Sequence, residues 1–255
     1  MLACGWVGPF AEPILSLTSD VDWASDACIA DLAAVAAEHG VVPTFFATHA
    51  SPVLDALLAA GRAEVGIHPN FLPGSTHGRT VDEVLDHVLG LYPQAKVSRS
   101  HAFVDSTPIA RALVARGVRH DSNLCLHRQT HLVPLRHASG LRRYPVFWED
   151  DCHWHLGDGW DPDPLWADLC TPGLKILNVH PFPFALNIGD ADDYERHKPA
   201  APAVDEPGIR ARRARGPGTR TLVESLLARA QRAGLRFHTM SEICAMATRE
   251  EGITR

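Results

Sequence analysis

Two carboxylates one residue apart close a short apolar run, Leu15-Ser16-Leu17-Thr18-Ser19-Asp20-Val21-Asp22. Carboxylates that close do not easily both stay ionised unless a cation lies beside or between them. Three later strand-like runs also finish in a group that ligates, moves protons or carries fixed charge. Val65-Gly66-Ile67 ends at His68, Lys96-Val97-Ser98 leads to Arg99 and His101, and Leu174-Lys175-Ile176-Leu177-Asn178-Val179 ends at His180. One carboxylate and two imidazoles are a sufficient protein shell for a catalytic zinc-like ion, with positions left open for water and substrate. Such an ion lowers the pKa of its bound water to about 7. Arg99 is a permanent cation with a bidentate fork, suited to hold Asp20 ionised and oriented. His180 ends an almost wholly apolar strand, where an imidazole is either a hydrogen-bonded core group or a general acid. Each residue alone has a plain alternative: a helix cap for the aspartates, a satisfied core position for each histidine, a surface ion pair for Arg99. Together, the four strand ends point to one site.

Such a convergence needs parallel strands. The pattern predicts strands at 14–18, 41–47, 63–67, 96–100, 118–121, 144–148, 174–179 and 235–238. Helices are predicted between them. The first is capped by Ser25 or Asp26, with Ile29, Leu32, Ala33 and Ala36 on one face and Gly40 at its end. Others begin at Pro52, Val81, Pro108, Thr219 and Ser241, the last with Ser241 as its cap. Residues 1–13 read as an irregular lead-in, 122–143 as less regular, and 149–172 as a long acidic and aromatic loop. Residues 187–217, with the basic run Arg210-Ala211-Arg212-Arg213-Ala214-Arg215, read as a solvated, mobile loop rather than a phosphate patch. Alternation without internal repeats implies a parallel sheet. About seven strand–helix steps imply an α/β fold of distorted (β/α)-barrel type, closed or nearly so, in a single domain over 1–255. Its active site is expected at the C-terminal strand ends. No glycine-rich phosphate loop follows the first strand, which counts against dinucleotide binding.

Composition narrows the class. The 255 residues are 45% hydrophobic with a net charge of -6, which gives no nucleic-acid footprint. No apolar run approaches the ~20 residues of a membrane span. The N-terminus has no signal-peptide pattern, so a cytoplasmic location is expected. The six cysteines (Cys4, Cys28, Cys125, Cys152, Cys170 and Cys244) show no C-x-x-C spacing and are expected to be mostly reduced, buried thiols. Of fifteen histidines, His39, His87, His127 and His197 are assigned no role.

With these residues in place, the chain resembles the polysaccharide deacetylases, the NodB-homology group of carbohydrate esterases (family 4), over roughly 14–244. Thr18-Ser19-Asp20-Val21-Asp22 resembles the family's opening Thr-Phe-Asp-Asp, and Thr44-Phe45-Phe46 its Thr-Phe-Phe. Gly117-Val118-Arg119-His120-Asp121-Ser122-Asn123 is similar to its Gly-Tyr-x-Tyr-Asp-Ser-Ser, and Leu177-Asn178-Val179-His180 to its Leu-x-His with one residue extra. The wording Asp20-Val21-Asp22-Trp23, Gly66-Ile67-His68-Pro69-Asn70-Phe71, Ser98-Arg99-Ser100-His101 and Phe147-Trp148-Glu149-Asp150-Asp151 resembles the WbmS-like subgroup, associated with bacterial surface-polysaccharide gene clusters. Two departures stand out. The family's paired aspartates are adjacent, whereas Val21 intervenes here. Its two metal-binding histidines are four apart, whereas Leu72 stands four after His68. The second histidine is therefore sought elsewhere, first at His101 and then at His77.

The resemblance implies metal-dependent hydrolysis that removes an acetyl group from an N-acetylated sugar. Asp22, His68 and His101 would hold a divalent metal, zinc first, with cobalt or nickel as alternatives. Asp20 would take a proton from the attacking water with Arg99 fixing it, though Asp20 and Asp22 could exchange roles. His180 would protonate the leaving amine, oriented by Asp150 or Asp151. Trp148, Phe182 and Phe184 are candidate sugar platforms. The expected partner is an amino-sugar or oligosaccharide substrate, with no nucleic acid and no membrane span. Two alternatives are another metallo-amidohydrolase on the same barrel and a non-catalytic sugar-binding relative.

Overall fold

The longest strand is an interior one. In the computed structural model, which describes residues 9–253, β1 (Pro13–Asp20) is buried at every position but its first. Near-continuous burial is what a strand covered on both faces requires. The chain then alternates: α1 (Asp26–Glu38), β2 (Thr44–Ala47), α2 (Pro52–Ala59), β3 (Glu64–Ile67), α3 (Val81–Leu91), β4 (Val97–Ser98), α4 (Thr107–Ala115) and β5 (His120–Asp121). Local signals set these helices. Ser25, Ser51, Thr80 and Ser106 each accept a hydrogen bond from the first turn they precede, and Thr80 with Glu83 forms a capping box. Short strands β6 (Leu135–Arg136), β7 (Arg142–Arg143) and β8 (Val146–Glu149) follow. Then come α5 (Asp150–His155), α6 (Pro162–Leu169), β9 (Gly173–Asn178), α7 (Pro181–Leu186), α8 (Ala191–His197), α9 (Glu206–Arg212), α10 (Thr219–Ala233) and α11 (Met240–Ile253). Cys4 and most of the N-terminal lead-in lie outside the described residues.

The strands form one sheet in the order β6-β7-β5-β4-β3-β2-β1-β9-β8. Every neighbouring pair is parallel except β6–β7. β7 and β8 sit near opposite ends of that order, yet Tyr144 and Pro145 alone separate them in the chain. The sheet must therefore curl round until its ends meet. The meeting is a seam beside residues 119–128. There Tyr144 N–H donates to Asp121, Val146 N–H to Leu124, Leu126 N–H to Val146 and Arg128 N–H to Phe147. Around the ring, β1–β5, β8 and β9 supply seven parallel strands, and β6–β7 is an added ribbon. The ring packs tightly where the site is built. A Cβ at Gly66 would lie 2.8 Å from both the Phe46 ring and the Val97 carbonyl, so only glycine lets β3 pass.

Several expectations need correction. The stretch 149–172 is not a loop: it holds α5 and α6. Asp161 caps α6, Pro162 opens it and Leu165 and Leu169 bury its inner face, signals obscured by the acidic and aromatic composition. Likewise 187–217 carries α8 and α9. Its Ile188, Val204 and Ile209 pack with Ala24, Cys28, Trp154, Phe182 and Leu186 in a second apolar cluster. Arg213 pairs with Asp31 and Arg210 with Glu206, so the basic run is partly engaged in intrachain ion pairs. The predicted strand at 235–238 reduces to one bridge between Phe237 and Leu15. The last helix is capped by Thr239 in a reciprocal bond with Glu242, while Ser241 binds Glu64 instead. The described cysteines are free thiols, but only Cys28 and Cys244 are buried; Cys170 is exposed.

Candidate active site

β1 ends at Asp20, and the turn after it delivers Asp22. Val21 N–H still reaches the Phe46 carbonyl, but Asp22 (φ 44°) and Trp23 (φ 56°) are left-handed, and Trp23 N–H is held by Thr48 Oγ1. Strand alternation therefore does not set the direction of Asp22, contrary to the simple extension of β1; two strained residues do. His68 follows β3, its N–H tied to the Ala47 carbonyl. His101 follows β4 in a tight turn where Ala102 (φ 53°) and Phe103 (φ 51°) are again left-handed. Asp22 Oδ1 lies 3.1 Å from His68 Nε2 and 2.8 Å from His101 Nδ1.

These three side chains present ligand atoms that all lie within 4.8 Å of one another. Burial pushes the Asp22 carboxyl up, but the hydrogen bonds from His101 and then His68 outweigh it and hold it well below the usual range. Burial likewise lowers His101, and Asp22 more than reverses that, so its pKa is raised. Two imidazoles directed at one carboxylate oxygen form an N2O donor set in which one divalent ion can replace the shared protons. The donor chemistry fits a zinc-class ion. Expected result: His68→Ala and His101→Ala lose the bound ion in elemental analysis, and His77→Ala retains it. Loss in His77→Ala alone would move the third ligand into the loop. His77 has other engagements: its Nδ1 accepts the Asn70 N–H, and its ring stacks on His87 at 5.0 Å and tilts against Trp23 at 5.6 Å. Burial first, then His87, pushes its pKa down to about 4.

Below the triad, inside the barrel, lies a buried polar network. Asp20, 4% exposed, accepts Arg99 Nη1 at 2.9 Å and Asn178 Nδ2 at 2.9 Å. Arg99 is fully buried. It donates further to Thr18 Oγ1, Asn178 Oδ1, Ser122 Oγ and the Ser122 carbonyl, and its guanidinium lies 4.3 Å from the Phe46 ring centroid. Asn178 also donates to Glu149 at 2.7 Å. Burial, then the Asp151 charge, raises Glu149 well above the usual range. Sequence reasoning singled out Asp20 and Arg99 but not Asn178, Glu149, Ser122 or Thr18. A signal existed: Thr18 and Asp20 are polar groups two apart on β1, the period of one strand face, and Asn178 stands two before His180.

His180 opens α7 and faces the same rim. Its Nδ1 lies 2.6 Å from Asp150 Oδ1, its own N–H donates to Asp150 Oδ2 at 2.9 Å, and its Nε2 is 3.6 Å from Asp22 Oδ2. Burial alone would lower His180; the Asp150 carboxylate wins and raises it well above its ordinary value. Burial raises Asp150 too, and Asp151 N–H joins the two His180 groups on its oxygens. Of the two acidic candidates, Asp150 touches His180. Asp20, Glu149 and His180 also bring atoms within 4.8 Å of one another. Trp148, Phe182 and Phe184 are buried in the core and offer no sugar platform. The part-exposed rings at the rim are Trp23, edge-on to His101 at 5.3 Å, and Tyr194 of α8. Burial pushes the Tyr194 hydroxyl up to about 12, and it also senses the charges of His180, Asp22 and Asp150.

Solved structures share this fold. A Bordetella bronchiseptica protein (WbmS), described as a polysaccharide deacetylase involved in O-antigen biosynthesis, is 31% identical, covering 87% of this chain and 93% of its own, with a TM-score of 0.77. A protein from Mycobacterium smegmatis, described as a polysaccharide deacetylase, is 17% identical over 98% of this chain and 96% of its own, with a TM-score of 0.64. A Thermococcus litoralis 4-α-glucanotransferase shares only the fold: 8% identity, 91% of this chain, 38% of its own and a TM-score of 0.54. A fold that hosts such different chemistry leaves the site to decide function. No curated protein matches the chain. The family model of the WbmS-like polysaccharide deacetylases matches residues 17–198, a span that runs from within β1 past His180 and takes in the whole rim, and the chain belongs to that family.

Proposed function

We propose that the protein removes the acetyl group from an N-acetylated sugar of a bacterial surface polysaccharide or its precursor, using one divalent ion, zinc before cobalt or nickel. The observation that carries this reading is the meeting, on one rim, of the Asp22–His68–His101 donor set with two differently tuned partners, Asp20–Arg99 and His180–Asp150. A carboxylate fixed by a guanidinium beside an imidazole fixed by a carboxylate places a candidate base and a candidate acid on one rim. An ion held by Asp22, His68 and His101 would supply Lewis acidity to the amide carbonyl and to the attacking water.

The chain's own groups do the rest. Asp20, held by Arg99 and Asn178, accepts a proton from the water as its oxygen bonds to the carbonyl carbon. His180, protonated and oriented by Asp150, donates Nε2–H to the departing nitrogen as the C–N bond breaks. The products are acetate and a free amine. Trp23 and Tyr194 are the rim rings placed to meet a sugar face. Among the described residues no helix is long and apolar enough to cross a membrane. A cytoplasmic location would make the substrate a nucleotide- or lipid-linked precursor.

The test is acetate release from a panel of N-acetylated sugars and nucleotide sugars by the zinc- or cobalt-loaded protein. Acetate and amine in equal amounts are expected; a metal-loaded protein that releases neither from any of them overturns the reading. The acid role has its own check. His180 must be protonated, so kcat falls as pH rises through its raised pKa. Asp150→Asn removes the charge that raises it and should move the alkaline limb down by about 1–3 pH units. An unmoved limb would exclude His180 as the acid.

A further inference from the structure

A second donor set straddles the barrel seam. Cys125 and His127 lie on the stretch that closes the ring, Cys125 bridged to Val146 and His127 in the turn that follows, and Cys152 lies on α5. Both thiols and a ring nitrogen of His127 lie within 4.8 Å of one another. None of the three belongs to the rim. The His127 ring is prepared in the way metal-binding histidines usually are: Asp158 engages Nε2 at 2.9 Å, while Nδ1 is buried with no hydrogen-bond partner. A carboxylate on one nitrogen fixes the tautomer and raises the basicity of the other. A carboxylate oxygen of Asp151 also comes within 4.8 Å of the Cys152 thiol. All four residues are half-buried, so a cation can reach them. Without a cation the neighbouring Cys125, then burial, pushes the Cys152 thiol up, and Cys152 donates its S–H to Glu149 at 3.3 Å.

We infer that Cys125, His127 and Cys152 form a second metal site for a thiophilic divalent cation of the zinc class, separate from Asp22, His68 and His101. Two sulfurs and one nitrogen select such an ion over magnesium or calcium. The position gives the ion a structural role. It joins residues 125–127 to α5, the helix that begins with Asp150, and so ties the seam to the element that orients His180.

Cobalt(II) is the probe, because thiolate ligands give a thiolate-to-cobalt charge-transfer absorption that an Asp–His–His site cannot. The metal-free, reduced protein is titrated with cobalt, and the same preparation is alkylated with iodoacetamide with and without the metal. The expected wild-type result is a second equivalent of bound cobalt, the charge-transfer band, and protection of Cys125 and Cys152 from alkylation. The double variant Cys125→Ser/Cys152→Ser should lose the band; His68→Ala should keep it while losing the other equivalent. The inference is overturned by a wild-type protein without the band, by unprotected thiols, by a band that survives in Cys125→Ser/Cys152→Ser, or by recovery of Cys125 and Cys152 as a disulfide that excludes cobalt. Alkylation reads the wild-type chain, so poor folding of a serine variant does not blunt the test. Any of those failures leaves the deacetylase reading untouched.

Discussion

Asp20→Asn retains its divalent ion and loses turnover by about 10²–10⁴-fold, the usual worth of a positioned acid–base group. The ion stays because Asp22, His68 and His101 are unchanged. Turnover goes because an amide of the same size cannot take a proton from water. The surroundings of Asp20 suit it to accept that proton. Arg99 and Asn178 each hold one of its oxygens, and its Oδ1 lies 3.7 Å from His68 Nδ1. Metal content and acetate release measured on the same preparation separate the two properties. If Asp20→Asn loses the ion while Asp22→Asn keeps it, the two aspartates exchange roles. Stability falls as well, since Arg99 is left as a buried cation without its counter-charge. The assay therefore belongs at a temperature where circular dichroism shows the variant folded.

Arg99→Met has the second large effect, on the fold itself. Breaking a buried ion pair by removing one partner costs about 3–5 kcal/mol, which in a protein this size lowers Tm by roughly 10 °C. Met fills much of the volume but leaves Asp20 facing Thr18, Ser122 and Asn178 without the cation that joined them. Arg99→Lys should rescue little, because one ammonium cannot span the Asp20, Asn178 and Ser122 positions that the planar fork serves together. Denaturant unfolding decides it: a loss below about 1 kcal/mol would mean water already reaches the pair. The double variant Asp20→Asn/Arg99→Met should be less destabilised than the two single losses summed, since both remove one interaction.

Much of this site was legible because strand ends announce themselves. Asp20, His68 and His180 each stop an apolar run, and a parallel sheet gathers such ends without further information. Arg99 and His101 were legible for the same reason. What the sequence hid was the means of delivery. Nothing in Asp22 or Trp23 signals a left-handed backbone, so the route of Asp22 to the histidines could not be read from alternation. The inner partners were hidden for another reason. Asn178 sits inside an apolar run where a polar residue reads as a lapse in pattern, and its four-way bonding appears only once β1, β8 and β9 are adjacent. Glu149 was read as part of an acidic loop, although it is buried at the end of β8 and accepts from Asn178 and Cys152. The helical content of 187–217 was obscured by proline and charge, yet Pro207 opens α9 at a position where proline suits a helix.

The place of β1 between β2 and β9 has a consequence for how the chain matures during synthesis. Thr18 and Asn178 are adjacent in the sheet but 160 residues apart in sequence. Until the ribosome has delivered β9, one whole edge of β1 has no hydrogen-bonding partner, and an apolar strand edge is a template for pairing with another chain. Over the same interval Asp20, Asp22, His68, Arg99 and His101 have all been made, but Asn178, which joins Asp20 to Arg99 and Glu149, has not. The nascent protein thus carries the donor set long before it carries the support beneath it. A chain stopped short of Gly173 is left with a sticky edge and an unsupported charge, and only the synthesis of β9 resolves both.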